Sequence, residues 1–107
     1  MVATQREVVY EVDAAKARGR YRRSEPPPPY TYAITLEVEE EGDVWPTVRL
    51  WDNADDVNEH HVHEYTRQDG KQMPLVRHFD SVNGAMAVAN AECREKAAEI
   101  VRHWWES

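Results

Sequence analysis

The spacing of apolar residues changes once along this chain, near Asp80, and that change constrains the fold more than any other feature of the sequence. Before it, apolar residues recur at every second position. Residues 30–39 put Tyr30, Tyr32, Ile34, Leu36 and Val38 on one side and Thr31, Ala33, Thr35, Glu37 and Glu39 on the other, the pattern of a half-buried strand. After it, Val82, Met86, Ala89, Cys93, Ala97, Ile100 and Trp104 recur at spacings of three and four, which predicts one amphipathic helix over residues 81–105, capped by Ser81 or Asp80. Strands followed by a helix predict an α+β fold: an antiparallel sheet of four to five strands with a long C-terminal helix on one face.

The remaining strands are read the same way. Val8, Tyr10 and Val12 alternate in the first, and Val48 and Leu50 point inward from the third. The Gly-containing turn EEGD and the pair Asp69-Gly70 supply hairpin chemistry, and Pro74 confines a fifth strand over residues 71–79 to an edge or a bulge. Residues 14–29 lose the apolar alternation, collect arginines and end in four prolines, so they read as a basic, proline-rich loop.

A chain of 107 residues with 41% hydrophobic and 31% charged residues has room for one core, so residues 1–107 are expected to form a single domain. No apolar run reaches the ~18 residues of a membrane span, and residues 1–6 show no signal-like apolar segment. The single cysteine, Cys93, excludes an internal disulfide and a cysteine-based zinc cluster. The expectation is a cytoplasmic protein without cofactor, resident metal or membrane contact.

The net charge of -7 hides an asymmetry: Lys16, Arg18, Arg20, Arg22 and Arg23 are five of the thirteen basic residues, whereas Asp52, Asp55, Asp56, Glu59 and Glu64 fall in a stretch with no Lys or Arg. Such blocks are commonly solvated surface, but a basic arm also suits phosphate or an acidic partner. If Val48, Leu50 and Val62 face the helix, period two sends Trp45, Thr47, Arg49, Trp51, His61, His63 and Tyr65 to the opposite face. Aromatics beside cations can stack bases and contact phosphate, and the same residues can equally form a second small core or a dimer interface. His61 and His63 lie about 7 Å apart along one strand face, with Asp52 one connection away. Metal ligation, metal-free acid/base work and ordinary packing all fit that spacing. Adjacent Trp104 and Trp105 cannot both face one core, and the exposed one predicts a homodimer or partner contact.

Trp51-Asp52-Asn53, then His61-Val62-His63, then Phe79 and a C-terminal helix together resemble the TumE family of small toxins of toxin–antitoxin pairs, over roughly residues 30–101. Ala54-Asp55-Asp56 departs from the Gly- and Lys-containing loop of that family. The resemblance implies a cognate antitoxin and an activity on RNA. On this reading the protein is a small metal-independent ribonuclease or RNA-binding inhibitor. One of His61 and His63 takes the 2′-hydroxyl proton and the other protonates the leaving 5′-oxygen, Asp52 orients a histidine, and Arg49 or an arginine of the basic arm stabilises the phosphorane. Trp51, Tyr65, Arg18, Arg20, Arg22 and Arg23 then bind substrate. The alternative is a non-catalytic interaction domain, a phage or accessory protein, using its acidic surface and exposed aromatics.

Overall fold

The computed structural model describes residues 5–12, 17–53 and 59–107. Lys16 and the acidic pair Asp55-Asp56 therefore lie outside the described residues. The chain forms β1 (Gln5–Val12), β2 (Ala17–Ser24), β3 (Tyr32–Val38), β4 (Thr47–Asp52), β5 (His60–Thr66), β6 (Gly70–Lys71) and β7 (Leu75–Arg77). Helices α1 (Val82–Glu95) and α2 (Ala97–Glu106) follow. The strands make one antiparallel sheet in the order β1-β2-β3-β4-β5-β6, with β7 also on the outer edge of β5. The α+β class is as expected, but seven strands replace four to five, and two helices replace one.

Two local causes account for part of these differences. Pro74 has no N–H to donate, and it stands between β6 and β7, splitting the expected fifth strand into two pieces on the same neighbour. Lys96 leaves helical geometry (φ -104, ψ 7), so the helix bends there. The apolar stripe continues through the bend as Ala85, Met86, Ala89 and Cys93, then Ala97, Ile100, Val101 and Trp104. The bend lets α1 lie over β2 and β3 and α2 over β4, as one straight rod cannot across a twisted sheet. Ser81 caps α1, its hydroxyl accepting from the Gly84 amide at 3.0 Å.

The largest correction is β2, which occupies much of the expected loop 14–29. Its alternation is there, but written in other residues: Ala17, Gly19 and Tyr21 face the helices, and Arg18, Arg20 and Arg22 face away. Gly19 has a steric role. A Cβ there would stand 2.2 Å from Cζ of Tyr10, whose ring lies across it from β1. Tyr21 reaches α1, where its hydroxyl donates to the Met86 sulfur at 3.3 Å. The proline segment is confined to the β2–β3 connection, closed by the Ser24 amide donating to the Thr31 carbonyl at 2.9 Å. The two turns read from the sequence carry the left-handed residues such turns need, Gly42 (φ 77) with Asp43 (φ 61), and Gly70 (φ 71).

Between sheet and helices lies the core, in which Ile34, Leu36, Val48 and Cys93 are essentially inaccessible. A bulge reverses part of the expected facing on β4. Leu36 pairs with Arg49 and Glu37 with Thr47, so Val48 is an extra residue and the parity shifts after it. Trp51, paired with Ile34 and Val62, points into the core with 2% of its surface exposed, while Leu50 joins His63 on the opposite face. Arg49 is carried to the helix side as well, where its Nη2 lies 3.2 Å from Glu64 Oε1. Of the terminal tryptophans, Trp104 is buried and Trp105 remains 43% exposed. No helix among the described residues is long and apolar enough to cross a membrane.

Candidate functional site

The sheet face turned away from the helices is organised in rows set by strand pairing. One row runs Glu7, Arg22, Ala33, Asp52, His61 and Val76 from β1 to β7. The next runs Val9, Arg20, Thr35, Leu50 and His63. The basic residues of β2 and the histidines of β5 thus share a face, separated by β3 and β4. Arg18 and Arg20 are already engaged, both donating to Glu37 at 2.6 and 3.3 Å, and Arg20 also pairs with Glu7. Arg22 makes no ion pair or hydrogen bond through its side chain among the described residues, and its Nε is buried without an acceptor.

His61 is held at both nitrogens. Its Nδ1 stands 3.5 Å from Asp52 Oδ1 across the β4–β5 pair, and its Nε2 stands 2.7 Å from Glu59 Oε1. The hydrogen bond to Glu59, reinforced by the charge of Asp52, raises the imidazole pKa above its ordinary value despite the opposing effect of burial. Asp52 is itself buried, and apart from this contact its Oδ1 has no partner among the described residues. Glu59 is half exposed, so it can swing away from the ring.

His63 lies in the neighbouring row with its ring centroid 6.1 Å from that of His61. Its Nδ1 is 3.0 Å from the main-chain oxygen of Gln72. A carbonyl only accepts, so Nδ1 carries the proton and the lone pair of the neutral ring is on Nε2. The hairpin after β5 sets this contact, because the Gln72 amide donates back to the Glu64 carbonyl at 2.8 Å. The two rings are thus held differently, His61 between two carboxylates and His63 by a main-chain carbonyl at Nδ1.

His60 belongs to the other face. The Tyr32 hydroxyl is hydrogen-bonded to its Nδ1 at 2.9 Å, Phe79 packs edge-on against its ring, and burial lowers its pKa. Burial also pushes the Tyr32 phenol up to about 12, so that hydroxyl stays protonated. Asn53 is structural too. Its Oδ1 accepts from the Tyr32 amide at 2.9 Å and its Nδ2 donates to the Tyr30 carbonyl at 3.0 Å, tying the end of β4 to the start of β3.

The structure therefore brings together His61, His63 and Asp52 from the expected catalytic set and separates Arg49, which lies across the sheet with Glu64. Trp51 is enclosed in the core and presents no stacking surface, a correction imposed by the bulge. Tyr65 stays on the histidine side, its phenol pKa raised by burial and by Asp52. Arg18, Arg20 and Arg22 share the histidine face, whereas Arg23 pairs with Tyr32 on the helix side and covers the Tyr30 ring at 4.9 Å. The sequence reading missed Glu59 and Gln72 as site residues. Glu59 precedes His61 by two positions, a spacing that signals a shared strand face, while the Gln72 contact comes from its main chain and leaves no trace in residue type.

Among the described residues no three His, Cys, Asp or Glu side chains are grouped so as to hold a metal ion. The geometry explains this at His61, whose carboxylate neighbours sit at opposite ring nitrogens and cannot converge on one ion. What the arrangement offers is two imidazoles, each able to take up or give a proton, with ring centroids 6.1 Å apart. Compared with protein-family models, curated proteins and solved structures, the chain matches none.

Proposed function

We propose that this protein is the toxin-like member of a toxin–antitoxin pair and acts as a metal-independent ribonuclease through His61 and His63. The observation that carries the reading is the pair of imidazoles 6.1 Å apart, one clamped by carboxylates and one oriented by a carbonyl. His63 Nε2 takes the proton of a 2′-hydroxyl, whose oxygen attacks the adjacent phosphorus. As the bond to the 5′-oxygen breaks, His61 delivers its Nε2 proton to that leaving group, which requires Glu59 to release it. Asp52 stays at Nδ1, fixing the ring and balancing its charge. The products are a cyclic phosphate end and a free 5′-hydroxyl, and hydrolysis of the cyclic end reverses the roles. A cytoplasmic setting and a cognate antitoxin belong to the same proposal.

The test is cleavage of single-stranded RNA by the purified protein in the presence of a chelator, together with growth on expression without an antitoxin. Removing one partner of an acid/base pair costs ~10² to 10⁴ in rate. His61→Ala and His63→Ala should each lose activity by that order and relieve growth inhibition while remaining folded. A wild type that is harmless and leaves RNA intact refutes the reading, as do folded variants with full toxicity.

A second reading, a non-catalytic interaction domain, has its own support. Met73, Leu75 and Val76 are 88%, 61% and 48% exposed beside the outer edge of β5, and the net charge of -7 disfavours approach of a polyanion. That apolar rim suits a protein partner, whether an antitoxin or another protein, and the cleavage assay separates the two readings.

A further inference from the structure

Helix α1 lies over β2 and β3 rather than over the edge strand β1, so the helix-side residues of β1 are incompletely covered. Val8 is 43% exposed and Tyr10 is half-buried. A cleft of about 230 Å³ remains there, lined by Val8, Tyr10, Tyr21, Asn90 and Arg94. Regular spacings build it. Val8 pairs with Tyr21 across the β1–β2 ladder, which puts both side chains on the helix side together with Tyr10. On α1, Met86, Asn90 and Arg94 recur at intervals of four and form one row. Met86 receives the Tyr21 hydroxyl at 3.3 Å, Asn90 Oδ1 receives that of Tyr10 at 3.4 Å, and the Arg94 guanidinium lies 4.4 Å over the Tyr10 ring.

The polar groups that α1 presents to the cleft are donors. Asn90 uses its oxygen on Tyr10 and keeps the N–H groups of Nδ2. Arg94 stacks by its flat face, which leaves the N–H edge of the guanidinium, and it forms no ion pair among the described residues. No described carboxylate lines the cleft, and its walls are otherwise apolar or aromatic. The cavities along α2, about 190 and 220 Å³, differ in this respect, because both are lined by Glu64 and Arg49, which already pair with each other. A cation and an amide beside an aromatic wall, with no acid to match them, suit a ligand that brings its own acid.

We infer that the cleft between α1 and the β1 edge binds a small aromatic carboxylate, its ring against Val8 and Tyr21 and its carboxylate shared by Arg94 and Asn90. The volume equals that of about eight waters in the liquid, room for one ring with a short acid chain. An aromatic ring gains offset or edge contacts with Tyr21 that an aliphatic chain lacks. The cleft lies on the other side of the sheet from His61 and His63, so the site does not rest on the ribonuclease reading.

The experiment titrates the full chain with three probes. Phenylpropionate has both ring and charge, phenylpropionamide keeps the ring without the charge, and acetate keeps the charge without the ring. Binding is followed by NMR at the Val8 methyls and the Asn90 side-chain amide, and titration to about 10 mM covers the weak affinity expected of so few ligand atoms. Phenylpropionate should shift both signals, and each control should bind roughly ten-fold more weakly or worse. Arg94→Gln should weaken phenylpropionate by roughly ten-fold, the low end for a charge-assisted hydrogen bond because Arg94 is exposed. Arg94→Lys keeps the charge without the planar fork and should recover only part of the affinity. Asn90→Asp retains the oxygen that Tyr10 uses and sets a negative charge beside the ligand, so it should bind no better than Arg94→Gln. Absence of shifts at Val8 and Asn90 overturns the site. Equal binding of phenylpropionamide, or a folded Arg94→Gln protein with wild-type affinity, overturns the carboxylate, and acetate binding as tightly as phenylpropionate overturns the aromatic body. Should a variant fail to fold, the comparison of the three probes on the wild type decides.

Discussion

Gly19→Ala tests whether β2 is built as described, and with it the placement of Arg22 on the histidine face. The new Cβ would meet three Tyr10 atoms, Cζ at 2.2 Å, Cε2 at 2.4 Å and the hydroxyl oxygen at 2.5 Å, all far inside contact distance. The ring has little freedom to yield. It is half-buried, its hydroxyl donates to Asn90 Oδ1 at 3.4 Å, and the Arg94 guanidinium covers it at 4.4 Å. Overpacking of this kind costs about 1–3 kcal/mol, and the reduced freedom of the unfolded chain returns roughly 0.4–1 kcal/mol of that. The net expectation is a loss of about 1–2 kcal/mol, or roughly 4–10 °C in Tm for a chain of this size. Denaturant and thermal unfolding of Gly19→Ala, Tyr10→Ala and the double variant measure it. In the Tyr10→Ala background the clash is gone, so the second substitution should be neutral or slightly stabilising, and the cycle should give a coupling above 1 kcal/mol. A Gly19→Ala protein as stable as wild type, or a cycle with no coupling, would refute the packing of β1 on β2.

Two further predictions separate structural from functional roles. Trp51→Ala should destabilise the fold by about 3–5 kcal/mol in denaturant unfolding, as for a large buried aromatic, whereas a residue that only stacks substrate would leave stability unchanged. The histidines should bend the stability–pH curve in opposite senses about their ordinary pKa of 6.5. The lowered pKa of His60 means that its contribution is present above pH 6.5 and lost as pH falls through the folded value, since protonation puts a charge in the core beside Phe79. The raised pKa of His61 means that its contribution is complete below pH 6.5 and lost as pH rises through the folded value, as Glu59 and Asp52 lose their cationic partner. His61→Gln should therefore flatten the decline above pH 6.5 and His60→Gln the decline below it, and an unchanged slope in either variant counts against the assigned environment.

Features that depend on a residue and its near neighbours in the chain were legible in the sequence. The alternation of residues 32–38, the switch to helical spacing, the Ser81 cap and the glycines at 42 and 70 all express local backbone preferences, which residue type encodes directly. The closeness of His61 and His63 is of the same kind, because two positions along a strand suffice to place them side by side. Tertiary structure alone decided which side of the sheet each residue faces beyond the bulge, since one extra residue at Val48 reverses a parity that pattern reading carries forward unchanged. It also turned an arginine-rich segment into β2, because Gly19 earns its place only when Tyr10 of the neighbouring strand lies across it. Asp52 met His61, and Gln72 met His63, through pairing and a hairpin that no single segment specifies. The histidine spacing and the Glu59 contact that raises the His61 pKa were thus local, while Asp52 at His61 and the Gln72 carbonyl at His63 were delivered by other parts of the fold.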